Sequence, residues 1–398
     1  MAVAAEDRGP AGVGRRVRAA RKLHPNLGQR QLADRMHVSV SLVRQVEQGR
    51  KPASPAFVAA AARALNLTVY DLYEQPSPQF GTEREGIAEL ETAVIAGPAL
   101  ATDDPPSPLD TLARAVATVA ELQRKSRYDR SSAAMPDLLA ALHTTAAHAH
   151  AGAEAERAHA LLTHLYQCVT ICLHRMGSPL AGQAAERAAT AAGSSGDPLL
   201  AALCEGEIGL PLMHRGAYGA AERLAATGRR LAEAEPTGPA ALTVRGYLHL
   251  RSAILSARSG DRATSDAHLA EAADCARILE PGADFYDTAF DPANVTIHSV
   301  AAAVELGDGA TALSRNTPLP PNTLASRKGH HHVDLARAAL LHGRRDQVLI
   351  ELNNARALAP QLTRYHPQVH ETVITLAHQD RRRSDSLATF ARWAGIQL

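Results

Sequence analysis

The sequence predicts an all-α protein: a five-helix N-terminal domain followed by a solenoid of stacked helical hairpins. Three observations predict it. Aromatic residues are only 4 % of the 398 residues, while alanine and leucine abound, which favours helices over sandwiches and barrels. Apolar positions recur with helical spacing along almost the whole chain. Five glycines (Gly177, Gly216, Gly260, Gly307 and Gly343) each stand where one helical pattern stops and another starts, 36–47 residues apart.

Charge divides the chain at the same place. Residues 1–75 hold 12 Lys plus Arg against 6 Asp plus Glu, a charge of +6, and the remainder carries −5. A basic head on an acidic body suits a nucleic-acid-binding end joined to a second module. The length points to two or three domains. Four cysteines and no signal-peptide pattern imply a reducing cytoplasm without a disulfide framework. No apolar run approaches the ~18 residues of a membrane span.

The head, 11–74, reads as five short helices. Leu32 and Met36 share a face of the second, and Val38 is a buried turn residue. A third helix covers about 39–48, with Val43 and Val46 inward. Ser39 is a natural N-cap, and Gly49 supplies a left-handed stop. Two short helices joined by a tight turn, the later one fitting the ~12 Å major groove, make a helix-turn-helix.

The run Gln29, Leu32-Ala33, Val38-Ser39, Ser41, Val43, Glu47 and Gly49 resembles the phage-repressor type of helix-turn-helix, the XRE family. The likeness continues through Pro52, Ser54, the helix at 57–65 and Leu72. It departs at Gly28, where Ser or Thr usually caps, and at His37, where Gly is usual. The resemblance implies that the third helix enters the major groove of double-stranded DNA, with Val40, Ser41, Leu42, Arg44 and Gln45 outward. Arg44 suits guanine, Gln45 suits adenine, and Val40 or Leu42 suits a thymine methyl. Gln29 would hold a phosphate beside its helix N-terminus, and Arg50 and Lys51 would add phosphate contacts. Arg15, Arg16 and Arg18 form a looser basic group, and Glu47 reads as structural. The plain alternative is a solvated face on a small helical domain. The family habit implies a homodimer on a palindromic operator.

Residues 75–108 read as a linker. Gln-Pro-Ser-Pro at 75–78 and Asp-Asp-Pro-Pro-Ser-Pro at 103–108 break helices, with a mildly amphipathic stretch at 83–95 between them that reads as a linker helix. From 109 to 398 about six hairpins follow, which resemble degenerate tetratricopeptide repeats. The turn glycines and small alanine positions are present; the diagnostic Trp and most Tyr positions are missing. An irregular helical bundle is the alternative. An XRE head on such a body resembles regulators widespread in actinobacteria, as do the segments 288–298, 304–308 and 364–367. The layout is similar to peptide-pheromone receptors of Gram-positive quorum sensing. This implies a body that dimerises and senses a short peptide or small metabolite.

The first helix of each hairpin should face a concave surface, at 154–176, 197–214, 240–258, 291–306 and 327–342. Their polar residues are candidates: His164, Gln167, Glu207, Arg245, His249, Asn294, His298 and His331. Phe285, Tyr286 and Phe290 cluster just before Asn294 and His298, which share a helix face. Two readings stay open: a ligand pocket, or aromatics plugging a repeat interface with Asn294 capping a turn. The ligand candidates are Tyr286, Phe290, Asn294, His298, His249 and Arg245.

His330, His331 and His332 point about 100° apart on a helix, so they cannot share one ion, and no metal is expected. Cys168 and Cys172 read as small buried hydrophobes, and the charge run at 380–383 as a solvated turn. No phosphate loop, HExxH or GxSxG is present, so neither an enzyme nor a cofactor is expected. The whole reads as a cytoplasmic transcriptional regulator. The rivals are a scaffold whose head merely localises it, and a receptor with a vestigial head.

Overall fold

The computed structural model describes residues 12–73, 82–149, 151–280, 284–379 and 385–398, and every regular element among them is helical. The head comprises α1 (Val13–Leu23), α2 (Gln29–Met36), α3 (Val40–Glu47), α4 (Pro55–Leu65) and α5 (Val69–Leu72). Three of its helix starts are set by hydroxyl caps. Ser39 Oγ accepts from the Leu42 N–H at 3.1 Å, Ser54 Oγ from Phe57 at 3.2 Å, and Thr68 Oγ1 from Asp71 at 3.2 Å. At Gly28, where the hydroxyl is missing, Gln31 Oε1 reaches back to the Gly28 N–H at 2.5 Å. α2 ends at His37 with φ of 54°, the left-handed value that usually calls for glycine. Val17, Leu32, Val43, Phe57, Val58 and Leu65 fill the core. Gly14 lets α1 press on α3: a Cβ there would sit 1.9 Å from the Val46 carbonyl oxygen.

The body begins earlier than 109. Within the stretch expected as a linker, α6 (Thr82–Ala96) and a 3-10 turn (Gly97–Leu100) follow, and Ile87, Leu90, Ala93 and Val94 are buried against the next helices. The helix expected at 83–95 is present, but its apolar stripe packs into the body instead of lying in a tether; the breaker at 75–78 lies outside the described residues. Then come α7 (Leu109–Arg124) and α8 (Tyr128–His148), α9 (Ala153–Arg175) and α10 (Ala181–Gly193). α11 (Pro198–Glu207) and α12 (Gly209–His214) pair with α13 (Tyr218–Ala234), and α14 (Pro239–Ser259) with α15 (Arg262–Ile278). α16 (Pro292–Glu305) pairs with α17 (Gly309–Arg315), and α18 (Ala325–Leu341) with α19 (Arg345–Leu358). Three shorter helices close the chain: α20 (Pro360–Arg364), α21 (Pro367–Gln379) and α22 (Asp385–Ala394).

The five spaced glycines all lie at hairpin turns with φ between 76° and 90°, where a Cβ would be strained. Small residues then let helices approach closely. α10 buries Ala181, Ala184, Ala185, Ala188, Ala191 and Ala192 on one face. Packing runs from each helix to its neighbours in chain order, and then the ends meet. Residues of α6–α11 and α18–α22 share one hydrophobic core, α18 touches α7, and the Asp129 N–H donates to Gln361 Oε1 at 3.2 Å. The hairpins therefore close into a ring.

The head packs against this ring. Its core continues into Met213, Tyr218, Ala221, Ala225 and Leu255 of the body. At the start of α1 the Val13 N–H donates to both carboxylate oxygens of Glu371, at 3.1 and 3.0 Å. A body carboxylate thus caps a head helix, where the helix dipole favours negative charge. Gln379 Nε2 donates to the Arg50 carbonyl at 3.1 Å.

Candidate nucleic-acid interface and internal cavity

α3 has an inward and an outward face. Val43, Val46 and Glu47 are buried, while Ser41, Arg44 and Gln45 are exposed side by side. Gln45 Nε2 donates to Ser41 Oγ at 3.1 Å, which holds both on the outer face. Val40 and Leu42 are half-buried against the head core, so only their edges reach outward. Arg50 is exposed beyond the end of α3, and Lys51 is half-buried.

A buried ion pair braces the motif from behind. Arg21 donates from Nε and Nη2 to the two Glu47 oxygens, at 2.6 and 2.9 Å, and from Nη1 to the Leu27 carbonyl at 3.1 Å. The Glu47 hydrogen bond and charge hold the Arg21 pKa above its ordinary value. Gln29 Nε2 donates to Glu47 Oε2 at 2.7 Å. Gln29 thus has a partner within the fold besides the phosphate expected for it. One of its two amide hydrogens is engaged by Glu47, and the other, beside the N-terminus of α2, stays available to a phosphate. The signal was present in the sequence, since Gln29 and Glu47 both belong to the motif, but their mutual contact is not a feature of spacing.

The ring encloses a cavity of about 330 Å³. The helices expected to be concave do line it, each with one face: His164, Gln167, Cys168, Ile171, His174 and Arg175 on α9, and Tyr247, Arg251, Ile254 and Arg258 on α14. His298 and Glu305 face it from α16, and Arg327, His330, Asp334 and Arg337 from α18. Pro55, Val69 and Tyr73 of the head complete the wall.

Of the expected ligand residues, Tyr286 and His298 line this cavity and the other four do not. Tyr286 donates its hydroxyl to Asp197 at 3.0 Å. Phe290 is 1 % exposed and fills the hollow over Gly246, where a Cβ would meet its ring at 2.0 Å. Asn294 is 2 % exposed and donates Nδ2 to the Ala289 carbonyl at 2.9 Å. These two play the plug and turn roles. His249 sits at 3.0 Å from His268 between α14 and α15, and Arg245 lies one turn away on that outer face. Among the other concave candidates, His164, Gln167 and Glu207 line the cavity, whereas His331 does not.

The three adjacent histidines diverge. His330 lies 3.4 Å from Asp334, His331 bonds Asn316 at 2.9 Å, and His332 bonds Glu351 at 2.7 Å. Cys168 and Cys172 are free thiols that burial pushes up to about 12.

Cavity electrostatics are lopsided. Six arginines line it against four carboxylates. Burial, aided by Arg175, Arg258 and Arg251, pushes His174 down to about 3. Burial and Arg327 do the same to His298, down to about 3. His214 and His366 are held well below the ordinary value, chiefly by burial. These imidazoles are neutral near pH 7 and leave the guanidinium charge to the carboxylates. Glu305 receives Arg258 and Arg337, each at 3.0 Å; Asp334 receives Arg337 at 2.8 Å; Asp287 receives Arg124 at 2.7 Å. Glu207 accepts from Gln167 at 2.9 Å and from the Tyr247 hydroxyl at 3.3 Å.

No helix among the described residues is long and apolar enough to cross a membrane. No curated protein matches the chain. Residues 13–72 match the family of helix-turn-helix domains, the span that holds α1 to α5 and the exposed face of α3. The chain thus carries a helix-turn-helix DNA-binding domain in residues 13–72.

Proposed function

We propose that the protein is a cytoplasmic, sequence-specific transcriptional regulator of the XRE type. Its tetratricopeptide-like body is a dimerising receptor for a small effector and not an enzyme. The observation that carries the DNA-binding part is the exposed Ser41-Arg44-Gln45 face, set on a helix whose other side is locked by the Arg21–Glu47 pair. Side chains on a rigid, short helix can enter the major groove with little ordering cost. The observation that favours sensing is the shared wall. Head residues complete the cavity, so a ligand inside it has different contacts when the head is docked and when it is not. That difference is the condition for shifting a conformational equilibrium. This also favours a receptor over a scaffold that is only tethered to DNA.

The test is selection of bound sequences from a random duplex library by the full-length protein near physiological salt. We expect a palindrome with half-sites about one helical turn apart. Absence of any enriched motif overturns the reading, as does a motif that survives unchanged in the Arg44→Ala and Gln45→Ala variants.

A further inference from the structure

Within the cavity three arginines, Arg175, Arg251 and Arg327, have no carboxylate within ion-pair distance among the described residues. Arg175, at the end of α9, makes no hydrogen bond or ion pair with the described residues, although it faces the cavity. Arg251 donates from Nε to the Tyr247 hydroxyl at 3.1 Å and stacks 4.9 Å over that ring. Arg327 donates Nη2 to the Thr288 carbonyl at 3.1 Å. Neutral acceptors take these hydrogen bonds, and only carboxylates beyond ion-pair distance, Glu207 for Arg251 and Asp284 for Arg327, offset part of the charge. The three sit close enough that Arg251 and Arg175 both bear on Arg327: burial with this repulsion lowers its pKa against the pull of Tyr247 and Asp284, whereas Tyr247 and Glu207 outweigh burial at Arg251 and raise it. Like charges crowded in a partly desolvated cavity with no counter-charge in contact are costly, and an anion placed among them removes much of that cost. The same cavity is lined by Ile171, Ile254 and Ile297, on three different helices. A few directed polar groups set against apolar surface are the mark of a small-molecule site.

We propose that the cavity binds a small organic anion, with a carboxylate or phosphate group seated among Arg175, Arg251 and Arg327 and an apolar body against the isoleucines. This rests on the sensing role proposed above and names the chemistry of its ligand. Guanidinium groups pair with carboxylate and phosphate through two parallel N–H donors, and Arg175 has all of its donors available to such a group among the described residues.

The experiment is a binding and melting series on the full-length protein with matched probes. Phenylacetate is compared with phenylacetamide, phenyl phosphate with phenol, and a capped tripeptide acid with its amide. Each acid should bind at least tenfold more tightly than its neutral partner and raise the melting temperature. The strongest of the three tells whether the group comes from a free carboxylate, a phosphate or a peptide terminus. Arg175→Gln and Arg327→Gln should each cost the acids about tenfold while raising the ligand-free melting temperature, because a repelling charge has gone. Arg277→Gln, which removes an equal charge from the exposed surface, should change neither result. Equal binding of acid and neutral partner overturns the proposal, as do acids that bind the two cavity variants undiminished. If a cavity variant does not fold, the wild-type affinity for phenylacetate decides: it should weaken as KCl rises, and salt-independent binding overturns the proposal. A protein that selects an operator but binds acids and amides alike remains a regulator without this ligand. One that prefers acids but selects no operator keeps the site and loses the regulator reading.

Discussion

Arg44 and Gln45 stand next to each other on the outside of α3, yet they should fail in different ways. Each alanine variant is expected to lose about 1–3 kcal/mol at its own base position and leave the others untouched. Arg50→Ala, beyond the helix, should instead weaken all sequences alike and lessen the salt slope by about 1. Binding titrations against operator variants at several salt concentrations separate the two patterns. Glu47 lies one turn on from Val43 and, like it, faces the interior. Glu47→Ala would strand the Arg21 guanidinium and is expected to cost about 3 kcal/mol, read from urea melts. The residues of α3 were legible in the sequence because a helix-turn-helix fixes their spacing. Those of the cavity were less so. Thirteen residues of α14 are buried, on every side of the helix, so no amphipathic stripe tells the cavity face from the opposite one. Arg245 and His249 were the plausible polar pair, and the true face is offset from them by two residues, at Tyr247 and Arg251.

At the scale of elements, the hairpin turns could be read because left-handed backbone selects glycine, whatever packs around it. The fate of 82–100 could not. Proline-rich flanks suggest a tether, but whether a short apolar stripe is exposed depends on a partner surface, here the hydrophobic side of α8. The contact of α14 with the segment before α16 makes a sharp prediction. Gly246→Ala forces a Cβ into the Phe290 ring and should destabilise by about 1–3 kcal/mol, the usual cost of overpacking. Pairing it with Phe290→Leu should recover part of the loss. Thermal melts of the two single variants and the double variant give the coupling, and simple additivity of the two losses would contradict the close contact.

For the whole molecule, Glu371 is where the body takes hold of the first helix of the head. Its pKa is raised by burial, against the pull of the Val13 N–H and Arg16. Glu371→Ala should free the start of α1, so hydrogen exchange of residues 13–18 should quicken severalfold while α9 and α14 stay protected. Equal protection in the variant would mean that apolar contact alone keeps the head docked. Acid acts more broadly. Burial holds His174, His249 and His298 at about 3 and His143 and His331 at about 4, below the ordinary 6.5. Between about 6.5 and those values the unfolded chain binds protons that the folded chain refuses. Stability should therefore be full above 6.5 and fall steadily as pH drops towards 4. Urea midpoints at pH 7, 6 and 5 test the sign.

The closure of the hairpins into a ring bears on how this body can change over generations. An open stack gains or loses a unit at its end and keeps the rest, because each unit needs only its neighbours. Here α18 to α22 share a core with α6 to α11, so inserting or deleting one hairpin would pull those surfaces out of register. The number of hairpins is locked by circumference. Divergence is then channelled into substitutions on the inner faces of α9, α14, α16 and α18, where the shape and charge of the cavity can change while the chain keeps its length.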